Sequence, residues 1–198
     1  MIAAICYKFA VASTIGNVRP EHGLGRAPST RDELYQTAAR DFGRALDRLA
    51  AGYEADAEKR DDLRQDIHLQ LWRSLEVFDG RCSLKTWTFR VAHNTAVSYV
   101  NRERRMNAKL VSLEEIDGAA VSYAWEPNID RHRMLQQLLR IILTLKPLDR
   151  QIMISYLEEM DTLSISDITG LSAGSVAMKV HRIKNLISRR FLKDQHHA

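Results

Sequence analysis

The side chains of this chain that could do chemistry are mostly charged, and several of like sign lie close together in the sequence. Asp61, Asp62 and Asp66 stand together; Arg102, Arg104 and Arg105 follow; and Lys179, Arg182, Lys184, Arg189 and Arg190 crowd the carboxyl end with no acid among them until Asp194. Closely spaced guanidinium and ammonium groups hold phosphate oxygens, whereas a row of carboxylates suits a basic partner surface. Signs of catalysis are weak by comparison. His68, His93, His132 and His181 are scattered, and no glycine loop of the phosphate-cradling kind occurs. Cys6 and Cys82 lie far apart, with neither metal-ligand spacing nor a companion in a nucleophile motif. The chain is therefore expected to bind rather than catalyse, with no cofactor, no metal site and no disulfide scaffold.

Positioning such residues needs a folded body, and the composition allows one. The chain has 198 residues, 45% of them apolar, enough for one full-sized domain or two small ones. Only nine glycines and four prolines against 27% charged residues argue against a collagenous or low-complexity chain. Lys and Arg outnumber Asp and Glu by 29 to 25, an excess too small on its own to prove a polyanionic partner, so the location of the charges matters more than their sum. Met1 to Ser13 is apolar but lacks a basic start and is interrupted by Lys8, which does not fit an export signal. No other stretch approaches the roughly 20 apolar residues that span a bilayer, so no membrane insertion is expected. A reducing, cytoplasmic location fits best.

The apolar spacing predicts helices throughout. Residues 1–29 hold three of the glycines and two of the prolines without a helical period, and are expected to be a flexible extension. Thr30 and Glu33 can form a capping box ahead of Leu34, Ala38, Phe42, Ala45, Leu46 and Leu49. A second helix is expected from about Asp61 to Leu75, with Leu63, Ile67, Leu71 and Leu75 on one stripe and the three aspartates on or near the other side. Phe78 to Cys82 breaks the pattern, and Ser83 can cap a third helix carrying Leu84, Trp87, Val91, Ala92, Thr95, Ala96 and Tyr99. The period fades over about 107–130, read as an interdomain linker, and returns with Met134 to Leu143 and again after Pro147. No alternating β pattern is found. The expected fold is all-α: two small helical domains, 30–106 and 131–193, joined by that linker.

In the second body Asp161 can cap a short helix, Gly170 can end it, and Ser172 can cap the next, which is helix-turn-helix spacing. The final helix would turn Val176, Val180, Ile183 and Ile187 inward and Lys179, Arg182, Lys184, Arg189 and Arg190 mostly outward. Its small amino end, Ala173, Gly174 and Ser175, could approach a major groove closely. Spacing alone also allows an ordinary αα-hairpin with a solvated basic face.

The run Asp62-Leu63-Arg64-Gln65-Asp66, Leu71-Trp72, Phe78-Asp79-Gly80-Arg81, Thr86 to Asn94 and Arg102-Glu103-Arg104-Arg105 resembles the second region of extracytoplasmic-function sigma factors of bacterial RNA polymerase. Leu145 to Arg150, Ile168 to Ser172 and Val180 to Lys184 resemble the fourth region of the same family, in the right order. The resemblance covers about residues 30 to 193. It implies a subunit that binds core RNA polymerase, recognises promoter DNA and helps open it, under an anti-sigma factor or other regulator. Asp61, Asp62, Gln65 and Asp66 would then face the polymerase. Phe78, Arg81, Ser83, Lys85, Arg90, Asn94, Arg102, Arg104 and Arg105 would serve the minus-ten element, with the Phe78 to Lys85 loop and Asn94 holding a flipped base. Ser172, Ser175, Lys179, Arg182 and Lys184 would serve the minus-thirty-five element.

This chain departs from that family at Ala177 and Met178, where many relatives carry Lys or another polar residue, and at Ser164, where an acid is common; the promoter sequence therefore does not carry over. Trp87 lies on the buried stripe and is expected in the core. Two other readings remain. A sigma mimic that merely sequesters an anti-sigma factor would not need Phe78, Asn94 and the arginines. A conventional DNA-binding regulator would leave the Asp62 to Arg105 pattern unexplained.

Overall fold

A computed structural model describes residues 30–110 and 129–195, in which all regular structure is helical. The helices are α1 (Arg31–Tyr53), α2 (Ala57–Ser74), α3 (Leu84–Leu110), α4 (Ile129–Leu143), α5 (Pro147–Leu157), α6 (Thr162–Thr169) and α7 (Ala173–Gln195). A 3-10 turn, Leu75–Val77, follows α2. The expected extension over 1–29 and the centre of the expected linker, 111–128, lie outside the described residues. Helix occupies both flanks of that linker, α3 running on through Leu110 and α4 beginning at Ile129.

Short polar side chains set most of the helix ends. At α1 the Glu33 amide donates to Thr30 Oγ1 (3.3 Å) while the Thr30 amide donates to the Glu33 carboxylate (3.1 Å), closing the expected capping box. Helix α2 starts four residues before the expected Asp61, because Asp56 accepts from the Lys59 amide at 3.0 Å and the intervening residues are good helix formers. Ser83 caps α3 through the Thr86 amide (3.0 Å), and Asp161 caps α6 through the Ser164 amide (2.8 Å). Pro147 opens α5, and Gly170, at φ 73°, ends α6 in the left-handed conformation that a side chain would strain. The turn of the helix-turn-helix motif is therefore where the sequence puts it.

Leu46 and Leu49 of α1, Leu63, Ile67 and Leu71 of α2, and Phe89, Ala92 and Ala96 of α3 are buried against one another. In the second body Leu138, Ile142, Ile152, Met153, Ile165, Val176, Ile183 and Ile187 do the same. The two sets merge into one apolar cluster. Gly52 permits this close approach, since a Cβ there would lie 2.7 Å from Ile154 Cδ1 and 3.6 Å from Ile142 Cγ2.

Polar groups close the rest of the seam. Arg48 donates to both oxygens of Glu158, Nε to Oε1 at 2.7 Å and a terminal nitrogen to Oε2 at 2.6 Å; the two side chains are 16% and 5% exposed. Such a forked, water-excluded pair is costly to break from one side. Glu158 is set in place by the end of α5, where Glu159 takes φ 58° and the Met160 amide donates to the Ser155 carbonyl (3.2 Å). Fully buried His93 joins the bodies from within: Nδ1 is 3.0 Å from the Tyr53 hydroxyl and Nε2 3.0 Å from the Ser155 hydroxyl. Burial holds its pKa down at about 3, so the ring is neutral near pH 7, and burial likewise pushes the Tyr53 phenol up.

Candidate nucleic-acid interface

The acidic side of α2 is the first surface to build. Leu63, Ile67 and Leu71 take the buried stripe, which leaves Asp61, Asp62 and Gln65 exposed and Asp66 partly so. Basic neighbours temper this face. Asp61 pairs with Arg64 at 3.3 Å, and Asp66 with Arg102 of α3 at 3.4 Å. Two residues expected to serve different partners, Asp66 and Arg102, thus meet in the structure. The Arg102 guanidinium also lies 5.2 Å from the Tyr99 ring, whose own pKa is raised to about 12 by burial and, secondarily, by Glu103.

The loop before α3 is folded back on the body. Phe78 is half-buried and meets Trp87 edge-on, ring centroids 5.4 Å apart, while the Trp87 indole N–H donates to Ser74 Oγ at 3.0 Å. Trp87 packs against the core, as its stripe position implied. Gly80, at φ 74°, turns the chain, and Arg81, 88% exposed, pairs with Asp79 at 2.7 Å. Ser83 is engaged in its cap. Lys85 points into the seam, donating to the Glu158 carbonyl at 2.7 Å, and burial lowers its pKa.

Along α3, Asn94 is exposed, and three- and four-residue steps carry the same side of the helix on to Ser98, Asn101 and Arg105. Ser98, Asn101, Arg102, Arg105 and Met106 line a shallow cleft of about 320 Å³. Arg104 is exposed nearby, and Arg90 is half-buried, its Nε without a hydrogen-bond partner. Ser98 and Asn101 were missed from sequence, although continuing the period from Asn94 finds both. Amides, hydroxyls and guanidinium groups on one helix side can bind bases at their edges and phosphates at their oxygens, and need no metal to do it. Among the described residues no cluster of three or more candidate metal ligands occurs.

Helix α7 buries Val176, Val180, Ile183 and Ile187, as expected, and adds Phe191. The basic side chains divide. Lys179 turns inward to Asp149 of α5 at 2.8 Å, the two 26% and 18% exposed, and Lys184 donates to the Tyr156 hydroxyl at 3.3 Å with its ammonium 5.3 Å from the ring. The expectation that both face outward is corrected: α5 presents an acid and a phenol to them across the groove between helices. Arg182 remains 70% exposed, 3.9 Å from the other oxygen of Asp149. Ser172 accepts from the Ser175 amide at 3.3 Å, so both serines belong to the cap at the amino end of α7. No helix among the described residues is long and apolar enough to cross a membrane.

Comparison with known proteins agrees with this layout. Residues 26–106 match the family model for Sigma-70 region 2, and residues 135–187 that for Sigma-70, region 4. The chain is 26% identical over 141 residues to RNA polymerase sigma factor YlaC of Bacillus subtilis, covering 70% of this chain and 80% of that protein. It is 28% identical over 138 residues to the ECF RNA polymerase sigma-E factor of Escherichia coli K12, covering 65% and 72%. Among solved structures, the fold is shared with the sigma factor RpoE in complex with the anti-sigma factor NepR from Bartonella quintana. That match has a TM-score of 0.65 at 21% identity, over 82% of this chain and 98% of that one. CnrH in complex with the cytosolic domain of CnrY matches with a TM-score of 0.57 at 20% identity, over 96% and 97%.

Proposed function

Since this chain belongs to the extracytoplasmic-function family of RNA polymerase sigma factors, the initiation subunits that bring core polymerase to promoters, we propose a division of labour among its surfaces. The α2 face with Asp61, Asp62, Gln65 and Asp66 docks on a basic element of core polymerase. The loop Phe78 to Ser83 and the α3 side bearing Asn94, with Arg90, Arg102, Arg104 and Arg105, handle the melted minus-ten strand; Lys85, expected among these residues, is instead held in the seam by the Glu158 carbonyl. Helix α7 with its cap serines, and Arg182 above all, handles the minus-thirty-five duplex. Residues 30–106 and 131–193 act as the two working domains, with 107–130 between them.

The observation that carries this reading is the continuity of the α3 side, where Asn94, the cleft residues Ser98 and Asn101, and Arg105 form one polar and cationic track beside the acidic α2 face. A protein that only sequestered a regulator would have no use for such a track. The chain performs no reaction of its own in this scheme; phosphodiester chemistry belongs to the polymerase, and the protein works in the cytoplasm without a cofactor. Because a sigma factor of this fold is known in complex with the anti-sigma factor NepR, a regulator of that class is the proposed further partner.

Run-off transcription with purified core polymerase tests the proposal, alongside the double variant Asp62→Lys/Asp66→Lys. The native protein should direct initiation from selected promoters. The variant should keep its circular dichroism and lose affinity for core. A folded double variant that binds core as well as the native protein would place docking elsewhere.

A further inference from the structure

Exposure along α7 separates the side chains that can reach a groove from those the fold already uses. Val176, Val180 and Ile183 are buried, Lys179 is tied to Asp149, and Lys184 lies on Tyr156. Between Ala173 and Arg182, the positions open to solvent are Gly174, Ala177, Met178, His181 and Arg182. The amino-terminal turns of the second helix in a helix-turn-helix are the ones that meet base edges. Met178, 72% exposed, is the long apolar side chain of that stretch. Gly174 and Ala177 are small enough to let a duplex come close; a Cβ at Gly174 would meet nothing within 4 Å, so internal packing does not require glycine there.

We propose that Met178, with Ala177 beside it, reads the methyl group of a thymine in the upstream promoter element, and so is a specificity-determining residue of this sigma factor. A single exposed apolar residue is ordinary on a protein surface; the position on the groove-facing turn is what gives this one meaning. Base edges in the major groove present donors and acceptors, and the thymine C5 methyl is their apolar feature. A thioether has no donor and only a weak acceptor, so it cannot form the paired hydrogen bonds that select guanine or adenine. Its unbranched, rotatable chain can close over a methyl group instead. Arg182, one helical turn on from Met178, supplies a cation on the same side for a flanking phosphate.

The inference rests on α7 being the DNA-facing helix, and the experiment separates the two. Holoenzyme assembled from the full chain and core polymerase selects upstream elements from a randomised duplex library. Each thymine of the selected element is then replaced by uracil, one at a time, which removes only the methyl group. One replacement should weaken binding about fourfold, the worth of one buried methyl-sized group. Holoenzyme carrying Met178→Ala should bind the thymine and uracil duplexes equally. Arg182→Ala should weaken binding to all duplexes alike and reduce the slope of log affinity against log salt by about one. If Arg182→Ala changes neither affinity nor footprint, α7 is not the DNA-facing helix and both readings fall. If Arg182 matters but the selected element lacks thymine, or every uracil substitution is silent, or Met178→Ala keeps the uracil effect, the role of Met178 alone is overturned.

Discussion

Acidification should loosen the seam between the two helical bodies through one imidazole. His93 is fully buried between the hydroxyls of Tyr53 and Ser155, each 3.0 Å from a ring nitrogen, with the Phe89 ring centroid 6.2 Å away. Burial lowers its pKa from 6.5 to about 3 in the folded protein. Between those values the unfolded chain takes up a proton that the folded protein refuses. Stability is therefore fully present above pH 6.5 and falls as the pH drops toward 3, by about 1.4 kcal/mol per pH unit once the unfolded imidazole is charged. From neutrality to pH 5 the loss from this group is about 2 kcal/mol. Urea unfolding followed by circular dichroism at pH 7, 6 and 5 measures it, with His93→Gln as the partner variant, because an amide can bridge the two hydroxyls without titrating. Carboxylates titrate in both proteins, so the informative quantity is the gap between them, which should shrink by about 2 kcal/mol from pH 7 to pH 5. Parallel stability curves across that range would refute the assignment.

Three further outcomes are expected. Glu158→Gln removes the forked carboxylate charge from the Arg48 guanidinium, 16% exposed, and should destabilise the protein by about 3 kcal/mol, seen as a lower urea midpoint at unchanged m; adding Arg48→Met should recover part of the loss. Gly52→Val should cost about 1–3 kcal/mol by crowding Ile154 and Ile142, whereas Gly52→Ala should lie near neutrality, because the flexible Cδ1 of Ile154 can move and alanine gains about 1 kcal/mol of helix propensity; thermal unfolding distinguishes them. Asn94→Ala should leave core binding unchanged while reducing promoter opening or altering preference at one non-template base, read by permanganate reactivity of thymines on native and pre-melted templates.

Features governed by local chemistry were legible in the sequence. The caps at Thr30, Ser83, Asp161 and Ser172, the helix start at Pro147 and the left-handed Gly170 each depend on a side chain and the backbone a few residues away. The start of α2 was placed at about Asp61, where the apolar stripe begins behind its acidic residues, whereas the cap at Asp56 begins the helix four residues earlier. Tertiary partners were beyond reach. His93 sits off the apolar stripe read from spacing, because α3 meets the other body there through Ser155. Lys179 and Lys184 look outward on a helical wheel, and only the packing of α5 against α7 supplies Asp149 and Tyr156 to draw them in. The polar track of α3 was half legible: Asn94 and the arginines stand out by type, while Ser98 and Asn101 are recognised once the helix side is known to be open.

The seam also limits how parts can be traded between sigma factors. A chimaera that joined residues 30–110 of this chain to the second body of a relative would keep Gly52, Arg48 and His93 but inherit other side chains opposite them. A smaller residue in place of Ile154 would open a void over Gly52, and an apolar one in place of Glu158 would remove the forked carboxylate from the Arg48 guanidinium, in each case at a position buried in the seam. Hybrids built to test the proposed role of α7 should therefore graft its exposed positions onto the resident second body rather than exchange the body whole.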